Sequence, residues 1–150
     1  MKIQYMSDLH FEFRENSKYI KHNEFPVTGD ILVLAGDIFY LKDKVSPLSR
    51  FWKWASENYR QVLIIPGNHE YYSGIQQWLP VFQRLGMHVL MNENTQIRVN
   101  GTPLAIAGVT DTAALNWGLE GPDPEKALSG LSKDITKLML SHRPSLAPES

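Results

Sequence analysis

Residues 61–70 read Gln-Val-Leu-Ile-Ile-Pro-Gly-Asn-His-Glu. The run Val62 to Ile65 is short for a helix and rich in Val, Leu and Ile, as suits a strand covered on both faces. Pro66-Gly67 stops the run sharply, and Asn68, His69 and Glu70 follow at once. Residues 31–37 have the same form: Ile-Leu-Val-Leu-Ala, then Gly36 and Asp37. Two other stretches agree. Ile3 to Met6 lead to Asp8-Leu9-His10, and Leu138 to Leu140 lead to Ser141-His142. Residues that recur at strand ends converge on one rim of a sheet. Asp, His and Asn gathered there offer oxygen and nitrogen donors to hard or borderline divalent metals.

Working outward, strand-like and helical patterns alternate, which predicts an α/β fold. Leu104 to Val109 reads as a fifth strand, and Val89 to Met91 as a short one. Thr95 to Val99 and Leu104 to Ala107 flank Asn100-Gly101 and read as a hairpin. Ser46 is an N-cap candidate with Pro47 at the first helical position, and Leu48, Phe51, Trp52, Ala55 and Tyr59 follow at helical spacing. Ser73 is a second N-cap candidate, followed by Ile75, Trp78, Leu79 and Phe82, with Gly86 just past the end. Asp123-Pro124-Glu125 opens a third helix near Ala127, Leu128 and Leu131. Residues 111–123 form the longest irregular stretch.

Composition narrows the classes. The chain has 150 residues, enough for one domain, and is 43% hydrophobic and 21% charged. Fifteen Lys and Arg against 16 Asp and Glu leave a formal net charge of −1, so no basic bias points to a nucleic-acid surface. There is no cysteine, hence no disulfide framework, thiolate metal site or cysteine nucleophile. No basic n-region precedes an apolar stretch, and no apolar run approaches a membrane span of about 20 residues. The expectation is a cytoplasmic protein.

Each motif has an ordinary reading beside the functional one. Asp8 and His10 are two apart, which at a strand end points both side chains to one side; alone they could be a capping Asp and a surface His. Asp37 can bridge two cations, or serve as an Asx-turn or helix cap. Gly67-Asn68-His69-Glu70 is the most specific piece, because it follows a buried strand; the alternative is a loop rich in Asn and Gly. His142 alone is a satisfied surface histidine. Four clusters in this order are more specific than any one of them. Trp52 and Trp78 lie on apolar helix faces and read as core. Tyr71, Tyr72 and Trp117 read as loop residues beside the site motifs, in reach of a substrate leaving group. Arg143 reads as solvated.

The motifs D-x-H, G-D, G-N-H-E and H, in that order, resemble those of the calcineurin-like metallophosphoesterase superfamily. The resemblance runs from Asp8 to Pro144. It implies a four-layer α/β/β/α sandwich, hydrolysis of phosphomono- or phosphodiesters, and two divalent ions (Mn, Fe, Zn, Co or Ni) that together activate a hydroxide. It implies that Asp8 and His10 hold the first metal, that Asp37 bridges both, and that Asn68 and His142 hold the second. His69 is implied to be catalytic and not a ligand, stabilising phosphoryl charge or protonating the leaving alkoxide. The implied partner is a phosphorylated small molecule or a phosphodiester.

The family's last motif, Gly-His-x-His, gives one ligand to each metal and does not occur here. After His142 come Arg-Pro-Ser-Leu-Ala-Pro-Glu-Ser, and the unassigned His22 and His88 read as surface or strand residues. The expectation is therefore that residues 1–150 are the N-terminal portion of a longer phosphoesterase domain. Its second sheet would be incomplete, each metal one ligand short, and self-association favoured by an unpaired edge. The alternatives are a non-catalytic binding or scaffold module on the same fold, and an inactive fragment of a hydrolase.

Overall fold

Parallel strands cannot be joined by tight turns, and this chain spaces its apolar runs with helices. The computed structural model describes residues 1–22, 25–39, 48–143 and 145. Strands β1 (Ile3–Met6), β2 (Ile31–Ala35), β3 (Gln61–Ile65) and β4 (His88–Val89) form one sheet in that order, each pair parallel. Strands β5 (Glu93–Val99), β6 (Thr102–Gly108) and β7 (Thr136–Leu140) form the second sheet, with β5 antiparallel and β7 parallel to β6. The β5–β6 hairpin turns on Asn100 and Gly101, both at positive φ, as a two-residue primed turn requires.

The period of two in a strand sorts the central side chains into two cores. Leu32, Leu34, Val62 and Ile64 pack on a helical layer made of α1 (Arg14–His22), α2 (Leu48–Asn58) and α4 (Ile75–Arg84), which contributes Ile20, Phe51, Trp52, Ala55, Ile75 and Phe82. Ile31, Val33, Leu63 and Ile65 turn the other way and meet Leu90, Ile97 and Ile106 between the sheets. Each such buried side chain contributes about 1.5–3 kcal/mol, so Leu63→Ala would loosen the join between sheets. Helix α5 (Pro124–Ala127), capped by the Asp123 carboxylate, covers the outer face of the second sheet through Ala127 against Ala107 and Val109. The layers are thus α/β/β/α, and the second sheet has three strands among the described residues.

Several local readings change. Ser73 does not start a helix. A short helix α3 (Asn68–Tyr72) occupies the stretch before it, and Ser73 is its C-cap, its hydroxyl donating to the His69 carbonyl at 2.8 Å. The N-cap of α4 is Gly74, which the turn holds at φ 86°, where a side chain would be strained. Tyr71 lies on α3 and is buried, so it is core and not a loop residue facing substrate. The strand after α4 covers His88–Val89 and stops before Met91. A 3-10 helix (Thr112–Trp117) organises part of the irregular stretch, capped by Asp111. Trp52 is buried and Trp78 packs beside it, as their helix faces imply. The Ser46-Pro47 helix start lies outside the described residues, as do the side chains of Leu48 and His22.

Candidate functional site

Because β1, β2 and β3 are parallel, their C-terminal ends share one rim, and the loops that leave it run side by side. Asp8 N–H donates to the Gly36 carbonyl at 3.0 Å, His10 N–H to the Asp37 carbonyl at 3.1 Å, and Phe11 N–H to the Ile38 carbonyl at 2.9 Å. Asp8 and His10 are not at a strand end. Strand β1 stops at Met6, and both residues have left-handed backbones, with φ 53° and 45°. It is loop geometry that aims them, not strand alternation. Asp37 shares the conformation, at φ 52°. Among the described residues, the other two non-glycine residues at positive φ are Asn92 and Asn100, a type that tolerates it. Three candidate ligands thus sit in the left-handed region, which Asp and His enter more readily than most residues and which is over-represented at functional sites.

Two glycines let the loops close. At Gly36 (φ 88°) a side chain would bring its Cβ within 2.5 Å of His142 Nδ1 and 2.9 Å of Gly67 Cα. At Gly67 it would strike the Asp37 carboxylate. Glu70 then ties the two loops together. Its Oε2 accepts the N–H of Gly67 at 2.8 Å and of Asp37 at 2.9 Å; its Oε1 accepts that of Ile38 at 2.7 Å and Phe39 at 3.3 Å. Burial pushes this carboxyl up to about 7, while its backbone donors pull it down. Its bond to the N–H of Gly67, the N-cap of α3, is the return half of a capping box.

The side chains meet on Asp37. Its Oδ1 accepts the backbone N–H of His69 at 3.0 Å. Its Oδ2 lies 3.4 Å from His142 Nε2 and 3.9 Å from His10 Nε2, and His10 Nε2 is also 3.9 Å from Asp8 Oδ1. Asp37 is buried and Asp8 exposed, so the pair spans the site from floor to rim. Burial raises the Asp37 carboxyl, but the His142 contact and the His69 N–H outweigh it, and the group lies below the ordinary carboxylate range. His142 is the converse. Its Asp37 partner, helped by the Ala35 carbonyl 2.8 Å from Nδ1, raises it to about 9 against desolvation. Asn68 stands at the first position of α3, half-buried, between two residues that both touch Asp37.

Sequence reasoning missed one residue. Glu12, two positions after His10, places Oε1 2.8 Å from His10 Nδ1 and 2.7 Å from His69 Nδ1. The His10 and His69 rings meet edge-on at 4.7 Å. Nothing local marks Glu12, because one of its partners is 57 residues away. Arg143 is not simply solvated: its Nε lies 2.8 Å from Oδ2 of the buried Asp111. His88 is exposed on β4, far from motif geometry. Tyr72 and Trp117 are exposed and tilt together at 6.4 Å.

The donors suit divalent cations. Two atoms that share an ion through bonds of about 2.1 Å stand roughly 3–3.5 Å apart before any adjustment, close to the separations around Asp37 Oδ2. Among the described residues, two groups of three donors have ligand atoms within 4.8 Å of one another: Asp8, Asp37 and His142, and His10, Glu12 and His69.

Known proteins are similar to this chain in sequence and in fold. The chain is 32% identical over 129 residues to a bovine transmembrane protein with metallophosphoesterase domain, covering 77% of this chain and 28% of that protein. It is 28% identical over 156 residues to an uncharacterized metallophosphoesterase of Campylobacter jejuni, covering 98% of this chain and 39% of that one. The chain therefore spans between a quarter and two-fifths of the length of these relatives. Among the described residues, no helix is long and apolar enough to cross a membrane. In structure it is similar to a phosphopantetheinyl hydrolase from Mycobacterium tuberculosis, with TM-score 0.62 and 14% identity, over 95% of this chain and 68% of that one. The family model for calcineurin-like phosphoesterases matches residues 1–149, and the chain belongs to that family.

Proposed function

We propose that this chain carries the metal-binding half of a phosphoesterase site that hydrolyses phosphomono- or phosphodiesters. The observation that supports it most is the position of Asp37, whose one oxygen faces the Nε2 atoms of both His10 and His142. That position would suit a carboxylate shared by two cations. Asp8 and His10 would hold one ion, Asn68 and His142 the other, with Asp37 common to both. Divalent ions bound there would draw charge from phosphoryl oxygens and acidify water. A site of nitrogen and oxygen donors accepts Mn, Fe, Zn, Co or Ni.

The protein's own groups have separate tasks. Gly36 and Gly67 keep the site narrow, and Glu70 fixes the two loops that carry Asp37 and Asn68. His69 is placed by its N–H on Asp37 and its Nδ1 on Glu12, so its ring is oriented before substrate arrives. A ring so held suits proton donation to a leaving alkoxide, or a hydrogen bond to the phosphoryl group. That built-in orientation favours catalysis over a scaffold module, which would have no use for it.

The test is metal analysis together with hydrolysis of p-nitrophenyl phosphate and bis-p-nitrophenyl phosphate under Mn²⁺. Metal-dependent turnover of either ester that disappears in Asp37→Ala is expected. Turnover that survives both chelation and Asp37→Ala would overturn the proposal.

A further inference from the structure

We propose that Glu12 is a positioning residue that sets the ring orientation and tautomer of His10 and His69 together, through a single carboxylate oxygen. The roles of the two histidines rest on the phosphoesterase reading above; the hydrogen-bond argument does not.

The geometry is specific. One oxygen, Oε1, stands 2.8 Å from His10 Nδ1 and 2.7 Å from His69 Nδ1, while Oε2 is buried with no hydrogen-bond partner. An ionised carboxylate only accepts, and one of its oxygens has room for two donors. Both Nδ1 atoms must then carry the proton. In a neutral ring the lone pair is left on Nε2, the atom that His10 turns toward Asp8 and Asp37. The same oxygen therefore makes His10 Nε2 a ligand atom and makes Nε2 the proton-exchanging atom of His69.

The alternative is that Glu12 completes a metal site of its own with these histidines, since the three lie close together. Two points favour the positioning role. Separations of 2.7 and 2.8 Å are charge-assisted hydrogen-bond lengths, shorter than the roughly 3 Å between atoms sharing an ion. A site on Nδ1 would also leave both rings without the carboxylate that metal-binding histidines commonly use as an outer partner. The edge-on contact of the rings at 4.7 Å, with Phe13 5.6 Å from His10, restricts how the rings can turn. Sharing one oxygen has a consequence that separate partners would not: the two rings cannot be re-tuned independently.

The experiment labels the histidines of the 150-residue chain with ¹⁵N and reads their tautomers by long-range ¹H–¹⁵N correlation, metal-free and at alkaline pH. His10 and His69 are expected as Nδ1–H tautomers in the parent chain. Glu12→Ala should lose that preference in both rings at once, and Glu12→Gln, whose amide oxygen still accepts, should keep it. Calorimetric Mn²⁺ affinity should fall about 10–100-fold in Glu12→Ala and recover in large part in Glu12→Gln. Nε2–H tautomers in the parent chain would overturn the proposal even if Glu12→Ala fails to fold. So would a change confined to one ring, or no change in a folded Glu12→Ala. If the phosphoesterase reading alone is wrong, neither ester is hydrolysed, yet the tautomers still respond to Glu12.

Discussion

His142 Nε2 lies 3.4 Å from Asp37 Oδ2, and the opposite ring nitrogen meets the Ala35 carbonyl at 2.8 Å. A carbonyl only accepts, so Nδ1 carries a proton and Nε2 is the atom that changes state. Facing the carboxylate, Nε2 keeps its proton up to about 9. Facing a cation, it must give that proton up. If a cation binds there, the pair would exchange a proton for it; the ends of β2 and β7, from different sheets, bring the two residues together.

Metal uptake should therefore release a proton. At pH 7 we expect about one proton per ion bound beside His142, with affinity rising toward pH 9. Calorimetry in buffers of different ionisation enthalpy measures the release. Heats that do not depend on the buffer would mean that His142 is already deprotonated, or is not a ligand.

The same groups give the metal-free fold a pH dependence whose sign is fixed. His142 is raised above its unfolded value, so its contribution is complete below about 6.5 and is lost as pH rises through about 9. Glu70 is raised from 4.5 to about 7, so the fold holds its proton more tightly than the unfolded chain does and loses stability across that window as pH rises. Asp37 is lowered, and its contribution is present above its ordinary value of 3.8 and lost as pH falls. Stability in chelator should then be highest in mildly acid solution and decline toward pH 9. Urea midpoints that climb steadily from pH 5 to 9 would contradict the Glu70 and His142 assignments, and midpoints that do not fall as pH drops below 3.8 would contradict that of Asp37.

Asp37 and His69 should separate in mutant chemistry. Asp37→Ala removes the carboxylate proposed to be common to both cations and should abolish metal retention and turnover together. His69→Ala should leave metal bound while reducing kcat by roughly 10²–10⁴-fold, the range of a general acid. Metal content and steady-state kinetics on both variants decide it. Metal lost from His69→Ala would make His69 a ligand, and would favour the group of His10, Glu12 and His69 as a binding site.

What could be read in the sequence follows physical range. Ile31–Ala35 and Val62–Ile65 declare themselves because burial on both faces demands unbroken apolar runs, and Asn100-Gly101 because few residues accept two positive φ values in succession. Helix α1 was missed because Arg14–His22 offers Ile20 alone to the core among its described side chains. Helix α3 is hidden in the sequence because Pro-Gly-Asn signals a turn, and without α3 Ser73 reads as a helix start. Because each motif ends an apolar run, the sequence predicts that Asp8, His10, Asp37, Asn68, His69 and His142 share one cluster; contacts join five of them, and Asn68 stands beside them at the start of α3. The sequence could not predict the contact of Glu12 with His69, or the hold of Glu70 on Asp37, Ile38 and Phe39, since those bonds join residues 31 to 57 positions apart.

Glu70 should matter to stability more than to chemistry. Its carboxylate is buried and holds four backbone donors from two loops. Glu70→Ala strands those donors and should cost at least about 3 kcal/mol. Denaturant unfolding of the two chains gives the number. A loss below about 1 kcal/mol would mean that water or a shifted loop satisfies the donors, and that Glu70 is not what binds the loops.

Gly67 offers the cleanest test that the narrowness of the site, and not only its donors, governs metal binding. Its φ of −91° is open to any residue, so Gly67→Ala introduces no backbone strain. The added Cβ would instead strike the Asp37 carboxylate and approach the Asp37 nitrogen at 2.7 Å. Asp37 must then move away from His142 and His10, the two rings it faces. Helix α3 can still form, because its N-cap contact to Glu70 is made by backbone. We expect a folded chain with far-ultraviolet circular dichroism like the parent's, and Mn²⁺ affinity about 10–100-fold lower, the range seen when groups that orient ligands are disturbed. Calorimetric titration of both chains measures it. Unchanged affinity in a folded Gly67→Ala would show that Asp37 has room to give way, and that the close approach of these two loops is a feature of packing with no part in holding metal.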